Sequence, residues 1–438
     1  MKQNKPVIAV VGLGFVGLSL AVVNAKYGFY TIGIDNNKNK LKNILAGNPE
    51  FFEPNLECYL KDSISKKTIS FSSDLREVLK SDITFVTVGT PSRNDGKIDL
   101  SNLRRVVTNL SKILRKKRKN HLIVIKSTVV PTTTKNLILP LIQNNSKVGI
   151  VVNPEFLREG NAIRDLVKPH LIIIGYENSS DYDTLKNYYK LFYKNPPEIL
   201  KTSPTTAEMI KYSNNAFLAT KVSFINTIAN ICQNLPSVDV NKVAYAIGKD
   251  PRIGPQFLNA GPGFGGSCLP KDLSALIKFT DKFGKTNKLL KTVKEVNQLQ
   301  PSKILDILQN MNMLKSKNKI SVLGIAFKKD TDDVREAVSI KIVNGLLKKG
   351  LKVSVHDPMA IDKFRKIFGK KIDYHSNVNE CLKNSDCCLI LTEWDEYRNL
   401  KPSLFKKYMK KTNLIDARRI LDPVKFSKLN FKAIGLGS

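Results

Sequence analysis

The chain has 438 residues, with 71 lysines and arginines against 38 aspartates and glutamates, a formal net charge of +33 and 42% hydrophobic residues. Its length predicts two or three domains, because a single hydrophobic core rarely serves so long a chain. Its composition allows a buried core. The N terminus has no signal-peptide pattern, and no apolar stretch reaches the length of a membrane span. We therefore expect a cytoplasmic protein that does not bind a membrane.

The cysteines and the positive charge bear on metal binding and on nucleic-acid binding. The six cysteines show no Cys-x-x-Cys or Cys/His ligand spacing, so we expect a reducing compartment and no metal site. The lysines are spread over nearly every segment, and the densest cluster, Lys112–Lys119, ends a predicted helix. Such a cluster is typical of a solvated face, so no specific nucleic-acid partner is expected. A cationic surface would also attract anionic substrates.

A glycine pattern near the N terminus predicts a cofactor site. The segment Gly12-Leu-Gly14-Phe15-Val16-Gly17 follows an apolar strand and opens a helix, and Asp35 ends the next strand. In this context G-x-G-x-x-G predicts a dinucleotide turn: Gly12 turns the chain, Gly14 admits the pyrophosphate and Gly17 lets the helix pack closely. Asp35 would bind the ribose hydroxyls and repel a 2′-phosphate. NAD is therefore favoured over NADP.

Further strands follow at the spacing of a doubly wound sheet. The predicted strands of this half span 7–11, 30–35, 82–88, 121–125, 148–152 and 170–174. Ligands bind beyond the carboxyl ends of such strands. The polar segments at those ends are Gly89-Thr90-Pro91, Lys126-Ser127-Thr128 and 153–159.

The middle of the chain is predicted to be helical and the C-terminal part to be α/β. Long helices are expected over 205–235 and 288–311, and Lys211 and Asn215 share one face of the first. Strands are expected over 319–327, 352–357, 387–391 and 413–416. The predicted fold class is thus α/β, with two Rossmann-like doubly wound domains joined by a central all-helical domain. The predicted boundaries are 1–203, 204–314 and 315–438.

The segment 261–272 predicts a nucleophile. Four glycines precede Cys268 and let the backbone lie close to a ligand, while Pro270 suits the first turn of a helix. A thiolate at a helix N terminus beside Lys271 is favoured by the helix dipole and the positive charge. We interpret the other five cysteines as core residues: Cys58, Cys232, Cys381, Cys387 and Cys388.

Together these motifs resemble the UDP-glucose/GDP-mannose dehydrogenase family of nucleotide-sugar 6-dehydrogenases. The resemblance covers essentially the whole chain and is most specific over 153–160, 207–218, 263–272 and 324–331. It implies an N-terminal NAD domain, a central helical dimerisation domain and a C-terminal domain that binds the nucleotide sugar. It also implies a homodimer.

The resemblance implies a four-electron oxidation of a sugar primary alcohol to a carboxylate with two NAD⁺, through a thiohemiacetal and a thioester on Cys268. The Ser267-Cys268 pair resembles the UDP-glucose and GDP-mannose branches, and the segment 252–258 resembles the UDP-glucose branch, so UDP-glucose is the expected substrate. The segments 261–263 and 268–270 also occur in the branches that act on GDP-mannose or UDP-N-acetylhexosamines, and His170 departs from a common Asp-Arg pair. Those two substrates are the alternatives.

The resemblance also implies roles for individual residues. The expected catalytic residues are Cys268, Lys211, Asn215, Asp272, Glu155 and Thr128. The expected cofactor contacts are Gly12, Gly14, Phe15, Val16, Gly17, Asp35, Lys40, Gly89, Thr90, Pro91, Ser127, Thr128, Glu159 and Arg335. The expected substrate contacts are Glu155, Phe156, Leu157, Lys211, Asn215, Phe264, Gly265, Lys329, Arg418 and, from the partner subunit, a residue at the position of Arg252.

Two other classes of protein share part of this pattern. A two-electron hydroxyacid dehydrogenase has an NAD domain followed by helices, but it needs neither Cys268 nor a second α/β half. A basic nucleic-acid-binding or scaffold protein would fit the charge of +33, but it would not need lysine, asparagine, cysteine and carboxylates at each motif.

Overall fold

The protein forms two compact units in a computed structural model that describes residues 5–143 and 145–437, apart from the side chain of Lys285. The first unit is Met1–Asn214 and the second is Asn215–Ser438. One long helix, Pro204–Cys232, carries residues of both. No helix in the described ranges combines the length and the apolarity that crossing a membrane would require.

The first unit is built on an eight-stranded sheet within its described residues. Its strands are β1 (Ile8–Val11), β2 (Thr31–Ile34), β3 (Ile69–Ser72), β4 (Ile83–Val86), β5 (His121–Ile125), β6 (Val148–Val152), β7 (Ile172–Tyr176) and β8 (Ile199–Thr202). Their order is β3-β2-β1-β4-β5-β6-β7-β8, and each pair is parallel except β6 with β7. The first six strands thus have the doubly wound order of a Rossmann domain.

Helices cover both faces of this sheet. They are α1 (Phe15–Lys26), α2 (Lys38–Leu45), α3 (Leu56–Ser65), α4 (Ser101–Leu114), α5 (Leu139–Ile142), α6 (Ala162–Val167) and α7 (Ser179–Phe192). Alternate residues of β1 enter different cores: Ile8 and Val10 pack into one, and Ala9 and Val11 into the other. Burial on both faces explains why these strands are continuously apolar.

The second unit contains a six-stranded parallel sheet within its described residues. Its strands are β9 (Lys319–Leu323), β10 (Lys352–His356), β11 (Asp373–His375), β12 (Cys387–Ile390), β13 (Asn413–Asp416) and β14 (Asn430–Ala433). Their order, β11-β10-β9-β12-β13-β14, repeats the doubly wound order of the first sheet.

The remaining helices follow the first unit in the chain. They are α8 (Pro204–Cys232), α9 (Val240–Gly248), α10 (Leu269–Thr280), α11 (Lys288–Asn310), α12 (Val338–Lys348), α13 (Ile361–Phe368), α14 (Val378–Leu382), α15 (Asp395–Arg398), α16 (Pro402–Tyr408) and α17 (Pro423–Phe426). Pro301, expected at a boundary or a kink, lies inside α11. The predicted fold class, two Rossmann-like sheets with a helical region between them in the sequence, is confirmed. The three domain boundaries stay predictions.

Local differences from the predictions have simple causes. The short strands β3, β8, β11 and β14 carried no apolar run and were not predicted. The interpretation of Cys58 as a core residue is wrong, because α3 buries Leu56 and Leu60 and leaves Cys58 exposed on another face. The other four cysteines interpreted as core residues are buried.

Candidate active site

The turn between β1 and α1 has the geometry that a pyrophosphate needs. Gly12 has φ +97°, and a Cβ there would lie 3.0 Å from Val88. A Cβ at Gly17 would collide with the carbonyl oxygen of Gly12, whereas a Cβ at Gly14 would meet no atom within 4 Å. The N terminus of α1 therefore faces open space, with backbone N–H groups available to an anion. Phe15 and Val16, beside this turn, are half-buried.

The carboxylate of Asp35 is fixed directly after β2. Its Oδ2 accepts hydrogen bonds from the Leu13 N–H and from Lys40 Nζ, each at 2.9 Å, and its Oδ1 accepts one from the Asn37 N–H at 3.0 Å. Burial opposes ionisation, but these hydrogen bonds outweigh it and hold the pKa of Asp35 below its ordinary value. Asp35 is thus an oriented anion, with Lys40 beside it, at the edge where a ribose would lie.

Side-chain hydroxyls tie the neighbouring strand ends together. Thr90 Oγ1 donates to the Thr128 carbonyl oxygen at 2.8 Å, and Ser127 Oγ donates to the Val88 carbonyl oxygen at 2.7 Å. Gly89 leaves open space, because a Cβ there would meet no atom within 4 Å. Pro91 is exposed at the same edge. The predicted residues after β4 and β5 therefore lie in one group.

A buried ion pair lies at the end of β6. Lys211 Nζ on α8 is 3.0 Å from Glu155 Oε1, and both side chains are less than a tenth exposed. The same ammonium lies 5.3 Å from the centre of the Phe156 ring. The Leu157 N–H donates to Glu155 Oε2 at 2.5 Å. Two expected substrate contacts, Glu155 and Phe156, thus lie beside Lys211 within the first unit, and a third, Leu157, holds Glu155.

Glu53 was not predicted, although its carboxylate fixes the segment 160–162, which follows Glu155 in the chain. Its carboxylate, buried and remote in sequence, accepts the N–H groups of Gly160 and Ala162, each at 2.7 Å. Glu159, an expected cofactor contact, precedes Gly160 and is half-buried. Neither periodicity nor spacing could have found Glu53, because its partners lie more than 100 residues away.

Cys268 is the N-cap residue of α10 and is exposed. Pro270 stands in the first turn of that helix, as predicted, and the Asp272 N–H donates to the Cys268 carbonyl oxygen at 2.8 Å. The thiol therefore lies at the positive end of a twelve-residue helix. That position favours the thiolate, which is the reactive form.

One turn further along α10, the carboxylate of Asp272 is buried and held from two sides. Asn215 Nδ2 donates to its Oδ2 at 2.6 Å, and Lys271 Nζ donates to its Oδ1 at 2.5 Å. Asn215 follows Lys211 by four residues on α8, so the two residues share one helical face, as predicted. Asn215, Asp272 and Lys271 form one hydrogen-bonded group within the second unit.

The glycines before Cys268 allow close packing against another segment of the second unit. A Cβ at Gly266, which has φ +82°, would lie 2.7 Å from the Phe327 ring, and a Cβ at Gly265 would collide with the Glu336 carbonyl oxygen. The Gly266 N–H donates to the Arg335 carbonyl oxygen at 3.0 Å. These glycines therefore allow the loop to pack against the protein segment 327–337, and the close approach of a ligand to this loop stays a prediction.

Two buried asparagines fix this loop and were also missed. Asn297 on α11 accepts the Phe264 N–H at 2.7 Å and donates to the Phe264 carbonyl oxygen at 3.0 Å. Asn226 on α8 accepts the Gly261 N–H at 2.8 Å. Their signal is weak in sequence, since an isolated asparagine within a helix has many explanations.

The basic groups at the strand ends of the second unit are oriented by neighbouring groups. Arg418 Nε donates to the Leu391 carbonyl oxygen at 2.7 Å, and its Nη2 donates to the Phe327 carbonyl oxygen at 3.0 Å. Lys329 Nζ is 3.0 Å from Asp395 Oδ1.

Two further arginines pair with nearby aspartates. Arg335 Nη2 lies 2.6 Å from Asp333 Oδ2. The side chain of Arg252 is 86% exposed and pairs with Asp250 at 2.6 Å. Arg252 therefore projects from the surface of the second unit, while Arg335 is held beside the Cys268 loop through its carbonyl oxygen.

The second sheet lacks the open dinucleotide turn of the first. Asp357 follows β10 as Asp35 follows β2, but its carboxylate accepts the N–H groups of Ile325 at 2.8 Å and Ala326 at 3.0 Å. Its Oδ1 accepts two further backbone N–H groups, and Trp394 Nε1 donates to Oδ2, the oxygen that accepts the Ile325 and Ala326 N–H groups. This buried acid therefore closes the turn after β9, in agreement with the missing glycine signature.

Comparison with known proteins identifies the chain. Models of the UDP-glucose/GDP-mannose dehydrogenase family match it in three places: the NAD binding domain over 6–193, the central domain over 205–299 and the UDP binding domain over 321–423. The chain belongs to this family. It is therefore an NAD-dependent nucleotide-sugar 6-dehydrogenase, and NAD is its cofactor.

Similar proteins within the family differ in the sugar that their names carry. UDP-glucose 6-dehydrogenase AglM of Haloferax volcanii is 38% identical over 423 residues, covering 94% of this chain and 97% of that protein. A UDP-glucose dehydrogenase from Pyrobaculum islandicum superimposes with a TM-score of 0.90 at 34% identity, covering 99% and 97% of the two chains. A UDP-D-ManNAc dehydrogenase from Pyrococcus horikoshii superimposes with a TM-score of 0.85 at 25% identity, covering 98% of this chain and 99% of that chain.

Proposed function

We propose that this nucleotide-sugar 6-dehydrogenase oxidises the C6 alcohol of UDP-glucose to the carboxylate of UDP-glucuronate, through a covalent intermediate on Cys268. The observation that carries the covalent route is the exposed thiol at the N terminus of α10, one turn before the Asp272 carboxylate. The choice of UDP-glucose is supported by the names of the Haloferax volcanii and Pyrobaculum islandicum proteins.

The steps balance over two oxidations. NAD, when bound, accepts one hydride in each of them. The alcohol first loses a hydride and a proton to give the aldehyde. The Cys268 thiolate adds to the aldehyde carbon, and the former carbonyl oxygen takes up the proton that the thiol gave up, which completes the thiohemiacetal. The thiohemiacetal then loses a second hydride and a proton to become a thioester. Water then replaces sulfur, which releases the carboxylic acid and returns the thiol. The aldehyde stays bound to the enzyme between the two oxidations.

Lys211 is assigned to the oxygen that becomes negative in each step. Its buried ammonium can stabilise an alkoxide far better than a solvated lysine could, because few waters screen it. Glu155, its ion-pair partner, is assigned to proton transfer, and Thr128 to holding the water. The Asn215–Asp272 pair is assigned to the sulfur-bound intermediates, with Asn215 as hydrogen-bond donor and Asp272 as proton acceptor.

We assign further contacts with the cofactor and the substrate to residues of this chain. The assigned cofactor contacts are the open turn at Gly14, Asp35 with Lys40, the strand-end residues 89–91 and 127–128, Glu159 and Arg335. The assigned substrate contacts are Phe156, Leu157, Phe264, Gly265, Lys329 and Arg418. The proposed domain roles are NAD binding for 1–203, dimerisation for 204–314 and nucleotide-sugar binding for 315–438.

GDP-mannose and a UDP-N-acetylhexosamine are the alternative substrates, and the likeness to the Pyrococcus horikoshii protein supports the second of these. Measurement of kcat/KM for UDP-glucose, GDP-mannose and UDP-N-acetylglucosamine under one condition separates them. We expect UDP-glucose to exceed both others by more than about 100-fold, since a pocket shaped for one sugar rejects added or altered groups. A higher kcat/KM for another sugar would correct the substrate and leave the chemistry unchanged.

A homodimer is proposed from an apolar stripe on α8. Phe217, Phe224 and Ile231 recur at every seventh residue and are each at least half exposed, at 64%, 51% and 53%. Such a stripe on a long helix needs a cover, and a second copy provides an identical stripe. Arg252 would then reach the site of the partner.

Phe224→Asp should convert a dimer to a monomer in light scattering, whereas Val424→Asp, at an exposed residue outside the stripe, should not. A wild-type monomer would refute the dimer.

A further inference from the structure

Lys126, directly after β5, is a buried cation with a defined partner. Lys126 is only 6% exposed. Its Nζ donates to Asn153 Oδ1 at 2.9 Å and to the Asn153 carbonyl oxygen at 3.3 Å. Tyr189 Oη donates to the same Oδ1 at 2.5 Å, and Asn153 Nδ2 donates to the Ile173 carbonyl oxygen at 2.7 Å. Lys126 therefore holds the residue two places before Glu155.

The charge of Lys126 acts on the ion pair assigned to proton transfer. Lys126 is attracted by Glu155 and repelled by Lys211, while Glu155 and Lys211 lie 3.0 Å apart. The titratable groups that face Lys126 among the described residues are these two and, through Asn153, Tyr189 on α7. Two cations thus accompany one carboxylate in a region that excludes most water.

This arrangement costs stability. Burial, partly offset by attraction to Glu155 and reinforced by repulsion from Lys211, lowers the pKa of Lys126 to about 8. A lysine whose pKa falls on folding binds fewer protons in the folded state, so its charge destabilises the fold at neutral pH. The charge of Lys126 by itself is therefore not explained by a gain in stability, and what the side chain contributes is its hydrogen bonds to Asn153.

We propose that Lys126 is a positioning residue, which fixes the Asn153–Glu155 segment and whose charge sets the proton balance of the Glu155–Lys211 pair. The inference rests on the proposed roles of Glu155 and Lys211. It assigns to Lys126 no contact with the sugar or with the cofactor.

The test compares Lys126→Met with Tyr189→Phe. Lys126→Met removes the positive charge and leaves the hydrogen bond from Tyr189 Oη to Asn153 Oδ1. Tyr189→Phe removes that hydrogen bond and leaves the positive charge of Lys126. We expect Lys126→Met to lower kcat by roughly 10- to 100-fold, with each KM within about threefold, because a charge near the reacting groups is lost. Its pH–rate profile should move to higher pH, since losing a positive charge favours the protonated forms of its neighbours. Tyr189→Phe should keep the wild-type profile.

The result that overturns the proposal is a wild-type profile and a kcat within twofold for Lys126→Met, or an equal shift in Tyr189→Phe. The unfolding temperature at pH 7 is the second readout. A marked fall for Lys126→Met without a shift of the profile would make Lys126 a structural residue. If Lys126→Met does not fold, Lys126→Gln keeps a donor towards Asn153, and we expect the same shift from it.

The assay uses whichever of the three nucleotide sugars the wild type oxidises. A wrong choice of substrate under the proposed function is then visible in the wild type alone and leaves the comparison of variants intact.

Discussion

Asn215 donates its side-chain amide to Asp272 Oδ2 at 2.6 Å, and Asp272 lies four residues after Cys268 on α10. A helix places such residues on one face, so the acceptor of this hydrogen bond lies one turn from the thiol. Together with Lys271 on the other oxygen, the amide leaves the carboxylate little freedom to rotate. A proton acceptor so fixed is what the proposed thioester route requires.

Asp272→Asn should lower kcat by about 10²- to 10⁴-fold, the usual contribution of a positioned general base. An amide cannot accept a proton, and its NH₂ group would face either Asn215 or Lys271, both donors. NAD affinity should stay within about threefold of the wild type. Asp281→Asn is the matched control, because Asp281 lies just beyond the same helix and pairs with exposed lysines. Steady-state kinetics with retained activity in Asp272→Asn would exclude it as the base.

Asp35→Ala should weaken NAD binding roughly 10- to 100-fold, because hydrogen bonds to a charged group contribute about 1.5–3 kcal/mol. The change also frees Lys40 from its ion pair, so NADP binding should weaken less or improve. Fluorescence titration with both cofactors gives the two dissociation constants. An unchanged affinity for NAD would remove Asp35 from the ribose site.

His121 should make the fold more sensitive to acid. Burial, together with the nearby Lys117 ammonium, lowers the pKa of His121 to about 3 from 6.5. The unfolded chain therefore binds more protons between these values, and stability falls as the pH falls from 6.5 towards 3. As the pH falls, the free energy of unfolding of His121→Gln should decrease less than that of the wild type, by about 1.4 kcal/mol per pH unit. Urea unfolding at several pH values measures this difference.

His170→Gln, at an exposed histidine, is the control for that experiment. Equal pH dependence of unfolding in the wild type and in His121→Gln would show that folding does not lower the pKa of His121.

Thiol reactivity should separate the cysteines into two groups. Cys58 and Cys268 are exposed, and the other four are buried, where burial raises the pKa of the Cys381 thiol to about 12. Brief treatment of the native protein with iodoacetamide should label the two exposed thiols, as peptide mass spectrometry can determine. Cys58→Ser should keep full activity and still be inactivated by the reagent, because Cys58 lies outside the proposed site. Inactivation that disappears in Cys58→Ser would contradict this assignment.

The sequence predicted those parts of the site whose signals are local. The glycine turn, Asp35, and Cys268 before Pro270 each lie within a short motif whose geometry follows from backbone sterics and helix dipoles. Helical spacing placed Lys211 and Asn215 on one face, and their expected roles came from the resemblance to the family. The packing role of the glycines before Cys268 was not predictable, because their neighbours Phe327 and Glu336 come from a segment about 60 residues away.

The residues that support the site were missed for a related reason. Glu53 and Asn297 act through hydrogen bonds to backbone groups far away in sequence, which no periodicity records. Lys126 was recognised at a strand end, but its burial and its partner Asn153 depend on the pairing of β5 with β6. Cys58 was misjudged because the helical face that it occupies depends on which residues of α3 meet the core.

The most direct test of the central claim is the number of NADH molecules formed per UDP-glucose consumed at limiting sugar, followed by absorbance. The covalent four-electron route predicts two for the wild type. Cys268→Ser should lose steady turnover while its NAD affinity stays near that of the wild type. One NADH per sugar in the wild type, or normal turnover in Cys268→Ser, would contradict the thioester mechanism.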